Sequence, residues 1–139
     1  MKIYFAGSIR GGRADSKIYF NIITYLESYG TVLTEHVGSN ILTIEGEFSL
    51  SDAEIFKRDI LWLKASDIVI AEVTKPSLGV GYEIGIAETL NLPILCLFNK
   101  NMKNNISAML AGNNKLICKE YSNLNNAKKQ IDDFIDVYT

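Results

Sequence analysis

Short apolar runs alternate with segments whose apolar residues recur every three to four positions, and this alternation organises the chain. Ile3-Tyr4-Phe5-Ala6 reads as a first strand that ends at Gly7. Ile18, Ile22, Leu26 and Tyr29 share one helical face, so a helix is expected from about Ala14 to Tyr29, closed by Gly30. Thr31 to Glu35 is the second strand, and a polar stretch from His36 to Leu50 follows without a convincing period. Ser51-Asp-Ala-Glu54 is a capping box, in which the serine hydroxyl and the glutamate side chain satisfy amides left over at a helix start. The helix it opens carries Phe56, Trp62 and Leu63.

Asp67 to Glu72 forms the third strand, and its unbroken apolar centre predicts burial on both faces. Pro76 to Gly81 is a turn opening a helix with Ile84, Ala87 and Leu90. Pro93 to Phe98 is the fourth strand, Ile106 to Leu110 a short helix and Lys115 to Cys118 the fifth strand. Leu124, Ala127, Ile131, Phe134 and Tyr138 mark a closing amphipathic helix. Strand and helix alternate throughout, which predicts an α/β flavodoxin-like (Rossmann-like) fold: a five-stranded parallel sheet with helices on both faces. The order 2-1-3-4-5 puts a ligand crevice between strands 1 and 3, at their carboxyl ends.

Composition narrows the class of protein. At 139 residues the chain is read as one domain over 1–139, with no linker, repeat or low-complexity segment. Its 47% hydrophobic and 22% charged residues are ordinary for a globular domain, and no apolar run suits a membrane span. Lys+Arg 14 against Asp+Glu 16 leaves a net charge of -2, which argues against a nucleic-acid polymer as partner, because phosphate-backbone affinity rests on many cations. Cys96 and Cys118 sit in apolar surroundings without metal-ligand spacing and read as buried thiols. No signal peptide is read at the start, and a cytoplasmic protein is expected.

Two loops meet at the expected crevice. Gly7-Ser8-Ile9-Arg10-Gly11-Gly12-Arg13 follows strand 1, and Pro76-Ser77-Leu78-Gly79-Val80-Gly81 follows strand 3. Glycine lets backbone approach a ligand, amides at a helix start favour an anion, and arginine and serine donors suit phosphate. Neither loop is a common phosphate fingerprint: the first lacks the GxxxxGK[ST] lysine, and Gly79-Val-Gly81 has Ile84 in place of a third glycine. The plainer reading is that these glycines only make tight turns.

Two carboxylates carry candidate chemistry. Glu83 is placed in the first turn of the helix after strand 3, where free amides and the helix dipole favour its ionised form and suit a nucleophile; such acids are also common without function. Asp59 sits among Ile55, Phe56, Trp62 and Leu63, so it must either be pushed towards its protonated form by desolvation, as a general acid, or pair with a base such as Arg58 or Lys57. Two carboxylates pushed in opposite directions supply what glycosidic cleavage needs. His36, the one histidine, has no second histidine or cysteine beside it, so no metal is expected; it either touches ligand or caps a loop. Tyr4 reads equally as strand core.

At these two loops and at Asp59 the sequence resembles the 2'-deoxynucleoside 5'-monophosphate N-hydrolases, the Rcl-type branch of the nucleoside 2-deoxyribosyltransferase superfamily. The matching stretches are 3–13, Gly30 to His36, Asp59 to Leu63, Ala71 to Glu83, Ile94 to Phe98 and Ser107-Ala-Met109, so the likeness runs from Tyr4 to about Gly112. Ile86 departs from it, where related sequences tend to carry arginine.

The resemblance implies hydrolysis of the N-glycosidic bond of a 2'-deoxynucleotide to free base and 2-deoxyribose 5-phosphate, without a cofactor. It implies that Glu83 forms a covalent deoxyribosyl intermediate, that Asp59 is the acid-base and base-contacting residue, and that Tyr4 orients Glu83 and the sugar. It further implies that Ser8, Arg10, Gly11, Ser77 and Gly79 contact phosphate, with Gly7 and Ile9 in the same loop, and that His36 lines the pocket. Ser107, with Met109 beside it, implies a homodimer in which the serine completes the neighbouring site. Two rivals share the fold: a nucleoside 2-deoxyribosyltransferase, which passes the sugar to a second base, and a non-catalytic nucleotide-binding module.

Overall fold

The structure is a computed structural model that describes residues 1–9, 16–38, 49–102 and 106–139. Five strands, β1 (Lys2–Ala6), β2 (Thr31–Val32), β3 (Ile68–Glu72), β4 (Ile94–Asn99) and β5 (Ile117–Tyr121), form one sheet in the order β2-β1-β3-β4-β5. Every neighbouring pair is parallel, as the strand-helix alternation requires. The helices are α1 (Ser16–Leu26), α2 (Asp52–Ala65), α3 (Leu78–Thr89), the single turn α4 (Ala108–Ala111) and α5 (Leu124–Tyr138).

Side chains on successive strand residues point to opposite faces, and this parity builds two cores. Ile3 and Phe5 of β1 and Ile68 and Ile70 of β3 join Tyr19, Ile22 and Leu26 of α1 and Ile131 and Phe134 of α5. Tyr4 and Ala6 of β1 and Val69 and Ala71 of β3 join Leu63 of α2 and Ile84 and Ala87 of α3. Every residue of β3 is buried, as its apolar run predicts. Each fully buried Ile, Leu or Phe contributes about 1.5–3 kcal/mol.

Element boundaries depart from the sequence expectations where a side chain or solvent decides. The second strand stops at Val32 instead of reaching Glu35. Thr34 Oγ1 accepts from Phe5 N at 2.8 Å and donates to Phe5 O at 2.6 Å, taking the place of a backbone ladder partner. A 3-10 turn at Glu35–Gly38 follows and carries His36. The first helix ends at Leu26 rather than Tyr29, and its expected start at Ala14 lies outside the described residues. The fifth strand is displaced, running to Tyr121 in register with β4. As an edge strand it exposes Lys119 and Glu120, whose polarity hid it from an apolar pattern. The short helix begins at Ala108, two residues later than expected. Cys96 is buried as expected, but its register partner Cys118 is only half-buried; both are free thiols.

Candidate active site

A cavity of about 700 Å³ opens at the carboxyl ends of β1 and β3, where the strand order predicts a ligand crevice. Its walls are Gly7 and Ile9 after β1, one face of α2, and the segment from Pro76 to Glu83 leading into α3. The α2 face follows from local sequence. The capping box starts the helix: Ser51 Oγ accepts from Glu54 N at 3.1 Å, and Ser51 N donates to Glu54 Oε1 at 3.3 Å. From that start, Asp52, Ile55, Phe56, Asp59, Ile60 and Leu63 recur at three- and four-residue spacing and all line the cavity.

Tyr4, Asp59 and Glu83 converge from three elements. Strand parity turns Tyr4 towards the α2 and α3 layer, where it is 1% exposed and hydrogen-bonded to Glu83. Burial, then the charges of Glu83 and Asp59, push the Tyr4 hydroxyl far above its ordinary range, so it remains a hydrogen-bond donor. Glu83 behaves opposite to the sequence expectation. Loss of solvent, followed by the nearby charge of Asp59, pushes its carboxyl up to about 8, while the Tyr4 hydrogen bond pulls the other way. The reason lies in the helix start: α3 begins at Leu78 with Ser77 as cap, so Glu83 is in the second turn, beyond the free amides of the first.

Asp59 takes the paired form of the two readings open to it. Arg58 Nε and Nη2 both reach Asp59 Oδ1, at 2.9 and 2.8 Å. The same guanidinium lies 4.6 Å from the Trp62 ring centre and brings Nη2 to 3.3 Å from His36 Nε2. The His36 and Trp62 rings are 5.7 Å apart, so the 3-10 turn after β2 is tied to α2 through Arg58 and Trp62. His36 is held beside the cavity and is not among its lining residues.

The second loop suits an anion. Ser77 Oγ caps α3 through Val80 N at 3.3 Å, and Ser77 and Gly79 line the cavity. A Cβ at Gly79 would meet only Ser77 Oγ, at 3.9 Å, so packing within the protein does not demand glycine there. At Gly7 it would come within 3.1 Å of the Tyr19 ring, so that glycine serves packing. Ser8, between cavity-lining Gly7 and Ile9, is fully buried, and its Oγ has no hydrogen-bond partner among the described residues. Arg10 and Gly11 lie outside the described residues. Ser107 caps α4, accepting from Met109 N at 3.2 Å, and both are exposed away from this chain's own cavity.

Asp52, Ile55 and Phe56 were not expected as site residues, nor was Trp62 as a contact of Arg58 and His36. Their common signal is the recurrence of α2 residues on the Asp59 face, visible once the capping box fixes the helix start. Leu78 and Tyr82 also line the cavity while remaining 96% and 55% exposed, which makes its mouth apolar.

Comparison with known proteins follows the same geometry. Residues 3–131 match the model of the nucleoside 2-deoxyribosyltransferase family. The 5-hydroxymethyl-dUMP N-hydrolase of Danio rerio is 53% identical over 112 residues, covering 81% of this chain and 78% of that protein. The protein of that name from Esox lucius is 52% identical over 114 residues, covering 81% and 79%. The Clostridium botulinum CMP N-glycosidase BcmB shares the fold, with a TM-score of 0.68 at 19% identity over 95% of this chain and 98% of that one. Sequence and fold together make this chain a member of the nucleoside 2-deoxyribosyltransferase family.

Proposed function

We propose that this protein hydrolyses the N-glycosidic bond of 2'-deoxynucleoside 5'-monophosphates, releasing the free base and 2-deoxyribose 5-phosphate. The observation that carries the reading is the meeting of Glu83 and Asp59 in one cavity beside an anion-suited helix start, with Tyr4 hydrogen-bonded to Glu83. The names of the Danio rerio and Esox lucius relatives support it.

In this reading the phosphate lies against Ser8, Arg10, Gly11, Ser77 and Gly79, and its remote binding energy positions the anomeric carbon. Glu83 attacks C1' as the C1'–N bond breaks, through an oxocarbenium-like transition state that the missing 2'-hydroxyl makes easier to reach. An ester between Glu83 and C1' results. The base leaves with the proton that the carboxylate pair holds, passed through Asp59. Water then attacks C1', Glu83 departs as carboxylate, and the sugar phosphate is released with the water proton returned to the pair. Tyr4 donates to Glu83 throughout and fixes its approach.

A homodimer completes the site, with Ser107 of each protomer reaching the phosphate held by the other. Exposed Leu78 at the mouth and exposed Met109 beside Ser107 suit such a contact. The chain acts as one unit in the cytoplasm, without metal or organic cofactor.

The test is product analysis with the four deoxynucleoside monophosphates, the matching ribonucleotides and the unphosphorylated deoxynucleosides, beside Glu83→Ala. Cleavage confined to phosphorylated deoxy substrates and lost in the variant is the expected result. No cleavage across the panel overturns it, and transfer of the sugar to an added second base in preference to water assigns the transferase reaction instead.

A further inference from the structure

We propose that Arg58 is a positioning residue for the candidate reaction: by gripping Asp59 through one oxygen and bridging to His36, it determines which of the two site carboxylates holds the proton in the empty enzyme. The inference rests on the hydrolase reading above for its functional meaning, although the proton placement is a property of the free protein.

The geometry is specific. Two guanidinium nitrogens converge on the single oxygen Asp59 Oδ1, a chelating grip that limits rotation of the carboxylate as well as supplying charge. The Trp62 ring centre, one turn further on, lies 4.6 Å from the guanidinium carbon, and His36 Nε2 lies 3.3 Å from Nη2. Side-chain exposures of 21% and 20% leave the pair partly shielded from water, so its charges act on the cavity instead of being fully screened.

The consequence follows from the groups around it. Among the described residues, Asp59 is paired with Arg58, which also meets His36 on the 3-10 turn; it shares the cavity wall with Asp52 on α2 and Glu83 on α3, and its charge acts on Glu83 and on Tyr4 of β1. A guanidinium within 3 Å favours the ionised form of Asp59. The ionised Asp59 in turn raises the proton affinity of half-buried, desolvated Glu83. Burial and the ionised Asp59 together place the resting proton on Glu83, and Arg58 secures the second of these by holding Asp59 charged. Substrate must move that proton towards Asp59 and the base as Glu83 becomes the nucleophile. Replacing the cation removes a charge that holds Asp59 ionised, so protonation of Asp59 moves to higher pH.

The experiment is a side-chain carboxyl NMR titration of the ligand-free full chain, for the unmodified protein, Arg58→Gln and Arg58→Lys, with the pH profile of kcat/KM for the same three. In the unmodified protein, the carboxyl that titrates near pH 8 is expected to be Glu83, with Asp59 ionised across that step. In Arg58→Gln, Asp59 takes up its proton at a pH higher by about one unit or more, and the kcat/KM profile moves upward with it. Arg58→Lys keeps the profile in place, since the charge survives, with kcat/KM lowered through loss of the chelating grip.

If Asp59 is the carboxyl protonated near pH 8 in the unmodified protein, the proposal falls, and that outcome needs no variant. A profile of unchanged position and reduced height in Arg58→Gln also overturns it, leaving a structural role only. If the unmodified protein cleaves nothing, the hydrolase reading fails while the titration still decides the proton placement.

Discussion

The charge on Asp59 is second only to burial in pushing the Glu83 carboxyl up to about 8, so the two acids of this cavity are electrostatically one unit. Asp59 is itself held by Arg58 at 2.8 Å, and Glu83 by the Tyr4 hydroxyl. The cavity thus contains one carboxylate with a cationic partner and one with a neutral donor, and that asymmetry separates their roles.

Glu83 links this asymmetry to stability. Its folded-state proton affinity is raised, so between pH 4.5 and about 8 the folded protein binds a proton that the unfolded chain does not. The contribution of this group to stability therefore falls as pH rises through that window, and the loss is complete above about 8. Glu83→Gln removes the penalty. Its urea midpoint should match the unmodified protein near pH 4.5 and exceed it progressively up to pH 8, by on the order of 1–3 kcal/mol in free energy. Parallel midpoints across the range would contradict the burial of an ionising Glu83.

Tyr4→Phe keeps the ring that packs in the sheet core and deletes only the hydroxyl. The Tyr4 hydrogen bond lowers the Glu83 proton affinity, so its loss should move the alkaline limb of kcat/KM, where the pair gives up its proton, to higher pH. Turnover should fall about ten- to a hundredfold, the cost of one hydrogen bond to a charged group. Far-UV circular dichroism should be unchanged. A fall in activity with the limb unmoved would give Tyr4 a role towards the sugar alone.

Ser107→Ala tests the shared site. If Ser107 serves the phosphate of the neighbouring protomer, kcat/KM towards monophosphates should drop about tenfold, with sedimentation still reporting a dimer. Leu78→Asp, at a position 96% exposed beside the cavity mouth, should dissociate the proposed dimer and lower activity at the same time. A fully active monomer would refute completion of the site by a partner.

Thr34→Val examines the end of β2. Thr34 Oγ1 satisfies both the amide and the carbonyl of Phe5, buried groups that valine cannot serve. A loss of about 2–4 kcal/mol is expected by urea unfolding, because both Phe5 groups are left without a partner. A change below about 0.5 kcal/mol would show that water or backbone movement replaces them.

Much of this architecture was legible in the chain itself. The apolar run of Ile68 to Ala71, buried on both faces, and the spacing of Ala127, Ile131 and Phe134 announce a central parallel strand and an amphipathic helix, because burial imposes a period wherever one face is dry. The capping box at Ser51 and Glu54 set the start of α2, and with it the face that carries Asp59. The flavodoxin-like order expected of five such strands is the one found, and it brings the loops after β1 and β3 together. Edges were harder to read: the polar residues Lys119 and Glu120 form a strand whose apolar period is broken by solvent, and the end of β2 depends on a threonine bonding across to Phe5.

The chemistry of the cavity divides along the same line. The residue types and their loops are properties of the sequence, since periodicity and turn residues are local. The charge state of Glu83 is not local. Its distance from the α3 start, its loss of water, and the presence of Asp59 from another helix are set by packing, and they reverse what a first-turn acid would show. Likewise, Arg58 adjoins Asp59 in sequence, but only the fold brings His36 and Trp62 to the same guanidinium. Desolvation and Coulomb interaction depend on distances through space, so they exist only once the tertiary structure has formed.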